Sequence, residues 1–507
     1  MKKSSYFVKD LLFSLLSGLL LGALLALFSP GSFWLGWLGG GFFAALLSLG
    51  TIRVARSLKV GQPLVLLMAV AFVLRLGLGI FLDQGLPTLG YDTPVQNAGY
   101  VFSDAAERDQ AAYRLGNDPT VFNHDLDDFW AVDQYRGLII CSALIYRIFS
   151  PDIHRPLMLV LASAFAMSLA VVFFFSAVAK KWNQNLARAS GWVMALYPMG
   201  VLLGSSQMRE PYLIAFASLL FWVSLDWKIK HWRTLIISML ILAFSLPFSV
   251  PVSGASFVVV AGIVYVDWLS TEHDRKYRLI GSAIYGLMLL AAAVAGWMWL
   301  KGCVGYEFHL TEANSGWISE LMRRYGESAR LPFLNIFGLT QPVLPAAIVD
   351  PTLPVWWGIS VFLAFGWYFM LPFLLYGFFA AFKAAKEDHR VVLIFLNLAL
   401  IAWILISSIR GGGDQWDNPR YRTAFLPWMS IITGWVWLQL RSRKSPWFWR
   451  IVAIESECLL FFMNWYLNRH INLGTQIPFT MMIILMLGLA ALIALAGVLW
   501  DKKTTAR

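Results

Sequence analysis

The sequence predicts an all-α fold, a polytopic bundle of transmembrane helices with about 14 spans. Of the 507 residues, 59% are hydrophobic and only 14% are charged, and the mean hydropathy is +0.65. This composition is typical of a chain that crosses a bilayer many times, and it excludes an ordinary soluble domain. Apolar runs near the roughly 20 residues that cross a hydrocarbon core follow one another along the whole chain. Basic residues collect in alternate loops between these runs.

Each predicted span is an apolar run that ends at charged residues, glycine or proline. Several neighbouring runs are separated by only a few residues, so we expect them to form hairpins. The runs lie near residues 11–28, 33–50, 63–82, 156–179, 189–205, 210–226, 234–250, 252–269, 279–300, 355–381, 390–408, 423–440, 447–467 and 477–500.

The distribution of lysine and arginine predicts the topology, because moving these residues across a bilayer is costly and they mark cytoplasmic loops. Basic clusters such as Lys180/Lys181 and Arg275/Lys276 alternate with loops that are acidic or mixed. We therefore expect a multi-pass protein of the cell membrane, plasma or inner, with both termini in the cytoplasm. This topology explains the net charge of +11, so nucleic-acid binding is not needed to explain it.

The longest polar stretch in the first half of the chain, residues 82–135, is acidic, and the alternation of loops predicts that it faces outward. Residues 103–115 have the pattern of a helix with Asp104 in its first turn, where a carboxylate is favoured. Asp104 and Arg108 are then neighbours at i, i+4. Residues 138–149 are apolar but too short to span, so we predict a helix on the outer membrane surface between the third and fourth spans. The acidic residues of the stretch are Asp83, Asp92, Asp104, Glu107, Asp109, Asp118, Asp125, Asp127, Asp128 and Asp133.

Three other segments predicted to face outward carry polar side chains. Residues 205–211 contain Arg209 next to Glu210, which can also be a local ion pair at a tight turn. Residues 301–354 contain charges of both signs. Residues 410–422 hold three arginines beside two aspartates. A guanidinium binds phosphate well through its planar set of donors, and the alternative for these arginines is anchoring to lipid headgroups.

Arg75 lies in the interior of a predicted span, well away from its ends. A charged side chain is costly in hydrocarbon and usually faces a bundle interior or a wet cavity. Because Arg75 lies two turns before Asp83, we expect it to point towards the same outward cavity as the acidic stretch.

In their order and predicted position these segments resemble the GT-C-type membrane glycosyltransferases, the group of the protein O-mannosyltransferases and the bacterial aminoarabinose transferases (glycosyltransferase family 39). The resemblance covers about residues 63–440, flanked by transmembrane hairpins at 1–62 and 441–507. It departs from the group in the two helices before residue 63 and in Asp104-Ala105, where an adjacent Asp-Glu pair is common. The residues that carry it are Asp104, Arg108, Arg209, Glu210, Asp414, Asp417, Asn418, Pro419, Arg420, Tyr421, Arg422 and Pro427.

The resemblance implies a sugar transferred, with inversion, from a polyprenyl-phosphate donor to a glycan, lipid or protein acceptor at the outer face of the membrane. An acceptor hydroxyl then needs a carboxylate as general base; Asp104 is the first candidate and Asp92 the second. The leaving lipid phosphate needs fixed positive charge, for which Arg420 and Arg422 are the candidates, with Arg209 behind them.

Other residues are assigned supporting roles. Asp127, Asp128 and Asp133 are candidates for ordering the acidic loop or for holding a divalent cation through oxygen ligands. No cofactor is predicted, and the use of a metal stays open. Membrane lipids are the remaining expected partners. The supporting candidates at the site are Arg108, Glu210 and Tyr421.

Two other functions fit parts of this pattern. An O-antigen-type polymerase or ligase also uses polyprenyl-linked sugars and relies on arginines and a large late outer loop, such as 301–354. A secondary transporter of a small polar solute also places ionisable groups in a multi-helix bundle. Transporters usually consist of related halves with broken helices, and the sequence contains no related halves.

Overall fold

The protein is helical throughout the part of the chain that is described. A computed structural model describes residues 2–59, 61–117, 133–270, 274–313, 320, 323–324, 326, 328, 330–384, 389–412, 414–442 and 445–505. Within these ranges all regular secondary structure is helical and no strand occurs, so the predicted all-α class is confirmed. The chain folds into two compact units, residues 1–296 with 423–427 and residues 297–422 with 428–507.

The first unit is a bundle built around one buried helix. Its helices are α1 (Lys2–Phe28), α2 (Phe33–Ser57), α3 (Gln62–Leu89), α4 (Pro94–Asn97), α5 (Ser103–Asn117), α6 (Gly137–Phe149), α7 (Leu157–Lys181), α8 (Gln184–Leu196), α9 (Pro198–Gly204), α10 (Glu210–Ser224), α11 (Trp227–Ser245), α12 (Val250–Leu269) and the first part of α13 (Arg275–Ala313). Helix α7 lies at the centre of the bundle, since 83% of the residues in its most apolar segment are buried. It packs against α2, α3, α8 and α10.

The second unit is also a set of packed helices. It contains the rest of α13, then α14 (Arg330–Thr340), α15 (Leu344–Val349), α16 (Pro354–Ala381), α17 (Arg390–Arg410), α18 (Asp417–Thr423), α19 (Leu426–Ser442), α20 (Pro446–Ile471) and α21 (Phe479–Thr505), apart from the 423–427 segment. Helix α17 packs against α14 and α16, and α20 packs against α15, α16 and α21.

The helices show that the chain is a multi-pass membrane protein. Among the described residues, nine helices are long and apolar enough to cross a bilayer, or ten if the bent pair α8 and α9 forms one span. The predicted count of about 14 spans is not confirmed. Helix α10 has 15 residues and α19 has 17, fewer than the roughly 20 that cross a bilayer. Helix α11 is interrupted at Lys230, where φ is −138° and ψ is 54°.

Three helices lie between α3 and α7: α4 and α5 in the described part of the acidic stretch, and α6 just after it. The predicted helix at 103–115 corresponds to α5, and the predicted short apolar helix at 138–149 corresponds to α6. Small residues let α5 and α6 pack closely: Ala111 and Ala112 are fully buried. A Cβ atom added at Gly116 would lie 2.6 Å from the carbonyl oxygen of Ala143. Glycine at this position therefore sets how closely the two helices approach.

A broken helix faces Arg75. Helices α8 and α9 meet at a bend of 59° before Pro198, which leaves carbonyl groups at the end of α8 without partners in their own helix. Arg75 supplies hydrogen-bond donors to two of these carbonyl groups. Its Nη1 donates to the carbonyl of Ala195 at 3.0 Å, and its Nη2 donates to that of Met194 at 3.3 Å. Arg75 is fully buried. The expectation that it points into an outward cavity is wrong, because its donors serve the helix break.

Candidate functional site

The first turn of α5 presents an acidic side chain paired with a buried arginine. Asp104 and Arg108 lie one turn apart, and Nη2 of Arg108 donates to Oδ2 of Asp104 at 2.5 Å, as the i, i+4 spacing predicts. The Asp104 side chain is 30% exposed, whereas that of Arg108 is 7% exposed. The arginine therefore holds in place a carboxylate that solvent can reach.

A second aspartate joins this pair to another part of the first unit. Oδ1 of Asp133 lies 3.8 Å from Nε of Arg108 and 3.4 Å from Nη1 of Arg209. The Asp133 side chain is 2% exposed, and within the described part of the chain its Oδ2 has no hydrogen-bond partner. One buried carboxylate thus serves two guanidinium groups, a geometry that suits the predicted loop-ordering role. Asp127 and Asp128, predicted alongside it, lie outside the described residues.

Residues 205–210 comprise the link between α9 and α10 and the first residue of α10. They contribute Arg209 to this charged cluster. All six are buried, so the segment is not a solvated turn. The Arg209 guanidinium carbon lies 4.9 Å from the centre of the Tyr135 ring, a cation–π distance. Glu210 is the first residue of α10, where the helix dipole favours a carboxylate. Arg209 therefore contacts the acidic stretch through Asp133.

Asp92, the alternative base, lies elsewhere. It is exposed in the loop before α4, and its Oδ1 accepts a hydrogen bond from Nδ2 of Asn97 at 2.8 Å. An exposed carboxylate in a short polar loop is held less firmly than Asp104, which a buried arginine grips. The structure thus brings Asp104, Arg108 and Arg209 into one cluster and leaves Asp92 outside it.

A neighbouring buried group was not anticipated from the sequence. The Asp109 side chain is fully buried, and its carboxylate accepts hydrogen bonds from the hydroxyls of Tyr100 at 2.6 Å and Tyr146 at 2.5 Å. Nε2 of His154 lies 3.3 Å from Oδ2 of Asp109. The histidine ring also stacks on Tyr113, with ring centres 4.8 Å apart. These contacts attach α5 to α6 and to the loop before α7.

The protonation of the two tyrosines follows from this burial. Desolvation and the nearby Asp109 carboxylate raise the pKa of both Tyr100 and Tyr146 well above the ordinary value. Both hydroxyls therefore keep their protons at neutral pH and donate them to Asp109. No spacing rule links Tyr100, Tyr146 and His154 in the sequence. The only available signal was that Asp109 lies on the apolar side of an otherwise polar helix, with Ala105 and Ala112.

The remaining predicted residues lie in the second unit, in and around α18. Nη1 of Arg420 lies 3.2 Å from Oδ1 of Asp417. The guanidinium carbons of Arg410 and Arg420 lie 5.3 and 5.2 Å from the centre of the Tyr421 ring. Two positive groups therefore gather around one tyrosine next to Asp417. The Tyr421 ring is thus within cation–π distance of both arginines.

Arg422 has a different environment. It has no exposed surface, and its Nη2 donates to the carbonyl of Gln341 at 2.7 Å. Its guanidinium carbon lies 3.3 Å from the centre of the Trp367 ring. These contacts connect the end of α18 to the end of α14 and to α16.

Metal binding was left open by the sequence. Among the side chains that the structure describes, no group of three or more His, Cys, Asp or Glu residues has a geometry that could hold a metal ion. Each unit contains one candidate cluster of charged side chains: Asp104 with Arg108, Asp133 and Arg209 in the first unit, and Arg410 with Arg420 and Asp417 in the second.

Compared with models of protein families and with curated proteins, the chain matches none.

Proposed function

We propose that the protein is a membrane glycosyltransferase that moves a sugar from a polyprenyl-phosphate donor to an acceptor hydroxyl at the outer face of the membrane, with inversion. The observation that carries the proposal is the state of Asp104, a partly exposed carboxylate gripped by a buried arginine. A general base must reach the acceptor proton and must also be held still. Asp104 meets both requirements better than Asp92, the other candidate base.

The surrounding charges support this role for Asp104. Arg108 is shared between Asp104 and Asp133, and Asp133 in turn binds Arg209. Because Arg108 is held by Asp133 as well as by Asp104, it holds the Asp104 carboxylate in one position. Asp104 therefore loses little conformational freedom when substrate binds, and its orientation is already set before reaction. Removal of Asp133 should therefore disturb Asp104 through Arg108, although Asp133 itself is buried.

For the leaving phosphate, Arg420 is the principal candidate in this proposal. Its planar donors suit a phosphate, and Arg410 adds a second positive charge at the same tyrosine. Arg422 is assigned a positioning role instead, because a side chain without exposed surface that donates to a backbone carbonyl has little left for a ligand. Arg209 is assigned the same kind of role because its partner Asp133 is buried, whereas Asp417, the partner of Arg420, is 38% exposed.

A secondary transporter is the second candidate, and the break between α8 and α9 favours it, since broken helices form the ion and substrate sites of many transporters. The break in this protein is occupied by Arg75, whose guanidinium donates to the carbonyls that would otherwise bind a cation. We therefore rank transport below glycosyl transfer.

The test uses the purified full-length protein with synthetic polyprenyl-phosphate sugars, and mass spectrometry of lipid-linked and surface glycans in cells with and without the gene. The proposal expects a glycan or glycolipid that disappears with the gene and is not restored by Asp104→Asn. In parallel, the protein is reconstituted into liposomes, and the uptake of small polar solutes into these liposomes is measured. Uptake without any change in glycans would replace the glycosyltransferase by the transporter.

A further inference from the structure

The first unit contains an apolar cavity far from the charged cluster. It has a volume of about 440 Å³ and lies between α10, α11, α12 and α13, within the size range of ligand-binding pockets. Leu220, Met239, Phe257 and Met288 are among the side chains that line it. Because α10 has 15 residues, the helix is about 22 Å long, and the cavity lies at its last turns while Glu210 begins it.

Two of the hydroxyl groups that line the cavity are hydrogen-bonded within the protein. The Ser224 hydroxyl donates to the carbonyl of Phe221 at 2.7 Å, and the Tyr265 hydroxyl is hydrogen-bonded to that of Ser282 at 2.7 Å. A cavity with such walls does not hold water well, and an empty one loses the dispersion contacts of its lining. Hydrocarbon is the occupant that this lining favours.

The helix that closes one side of the cavity faces lipid. Most apolar side chains of α13 before residue 299 are exposed or half-buried, with Tyr285 buried, and the Leu287 side chain, next to the cavity residue Met288, is 67% exposed. A hydrocarbon chain in the surrounding bilayer therefore has a short path into the cavity. No soluble ligand has comparable access within a span.

The charges at one end of the cavity identify the kind of lipid. Trp227 and Trp268 lie at that end, and tryptophan prefers the membrane interface. Their neighbours Asp226 and Asp267 are already paired with Lys180 and Lys181. The exposed basic residues next to this end are Lys228, Lys230, Arg275 and Lys276.

We propose that this cavity binds one hydrocarbon chain of an anionic phospholipid, whose headgroup phosphate lies at Lys228 and Lys276. The chain occupies the apolar space between α11, α12 and α13, and the phosphate meets the basic residues where these helices begin or end. The site is separate from Asp104 and does not depend on the proposed function. A bound lipid joins α10 to α13 and stabilises that side of the unit by mass action.

The test is lipid retention by the delipidated full-length protein in neutral detergent, measured by native mass spectrometry and by thermal melting. The probes are phosphatidylglycerol, phosphatidylcholine with the same chains, and glycerol 3-phosphate, which has the phosphate and no chain. We expect phosphatidylglycerol to be retained and to raise the melting temperature, phosphatidylcholine to do so much less, and glycerol 3-phosphate to have no effect.

Two kinds of variant separate the chain from the headgroup. Ala261→Phe fills the cavity and is expected to reduce retained phosphatidylglycerol at least tenfold, whereas Leu287→Phe, on the lipid-facing side, leaves it unchanged. The double variant Lys228→Gln/Lys276→Gln is expected to bind phosphatidylglycerol no better than phosphatidylcholine, and it decides the question if Ala261→Phe does not fold. Equal retention of both lipids by the unmodified protein, or full retention by folded Ala261→Phe, would overturn the proposal.

Discussion

Three aspartates of one acidic stretch have three different environments. Asp104 is partly exposed and gripped by Arg108, Asp133 is buried between Arg108 and Arg209, and Asp109 is buried among tyrosine hydroxyls. A carboxylate that is buried and paired contributes to structure, since moving it would leave its partners without compensation. A carboxylate that solvent reaches while an arginine holds it can contribute to chemistry. Exposure to solvent therefore separates Asp104, the candidate base, from the buried supporting carboxylates Asp109 and Asp133.

The first residue-scale prediction concerns Asp104. Replacement by asparagine keeps size and most hydrogen bonding but removes the proton acceptor, so kcat should fall by roughly 100-fold or more. Asp92→Asn is the control and should keep nearly full activity, with unchanged melting temperatures for both proteins. If the Asp92 variant is inactive and the Asp104 variant active, the earlier carboxylate is the base.

We predict that Asp133 stabilises the folded protein. Asp133→Asn removes the buried carboxylate that pairs with Arg209 and leaves Arg108 paired with Asp104 alone, which should cost about 3 kcal/mol. Asp226→Asn is the matched control: its ion pair with Lys180 has both side chains more than 40% exposed, so the cost should be under about 1 kcal/mol. Thermal melting in detergent measures the loss of stability in both variants. Equal losses would mean that the buried Asp133 cluster stabilises the protein no more than an exposed ion pair does.

The two arginines of α18 should respond differently to lysine. Arg420→Lys keeps charge but loses the planar donors, so the KM for a polyprenyl-phosphate donor should rise while stability changes little. Arg422→Lys loses the contact with Trp367 and shortens the reach to Gln341, so stability should fall by about 1 to 3 kcal/mol. Unchanged donor kinetics in Arg420→Ala would remove the phosphate role from this residue.

At the scale of elements, the site depends on the packing of α5 against α6. Helix α5 carries Asp104, Arg108 and Asp109, and its contact with α6 relies on Gly116 and on buried alanines. Tyr146 reaches from α6 to Asp109. A shift of α5 by an ångström would therefore move the candidate base and its buried anchor together.

Gly116→Ala tests this dependence. The new methyl group would meet the Ala143 carbonyl at 2.6 Å, and backbone cannot move aside cheaply, so we expect a loss of about 1 to 3 kcal/mol together with reduced turnover. Gly77→Ala, in α3, is the control, since a Cβ there meets nothing within 4 Å and helix propensity should improve slightly. Equal melting temperatures and activities for both variants would contradict the proposed role of this contact.

At the scale of the whole molecule, the apolar helices establish a multi-pass protein, and the alternation of basic loops predicts its orientation. Lys180 and Lys181 lie at the end of α7, near the start of α11 and the end of α12, where Asp226 and Asp267 pair with them. The Asp104 cluster lies at the opposite end of α10. The first unit thus has a basic end and an end that carries the candidate site.

Cysteine labelling tests the orientation. After Cys141, Cys303 and Cys458 are replaced by serine, single cysteines are introduced at Asn117 and at Lys276, both exposed. In intact cells whose outer barriers are permeable to the reagent, an impermeant maleimide should label position 117 and not position 276. The reverse pattern would invert the topology and move the candidate site to the cytoplasmic side.

Composition and apolar periodicity alone determined that the chain is an all-α membrane protein, and the i, i+4 rule alone determined that Asp104 and Arg108 form a pair. Both follow from forces local to a segment, namely burial of an apolar run and contact along one helix. Only tertiary structure decided that Arg75 serves a broken helix, that Asp133 lies between Arg108 and Arg209, and that Asp109 meets Tyr100, Tyr146 and His154. These partners are far apart in the sequence, and a buried charge takes whichever partner the packing brings within hydrogen-bond distance.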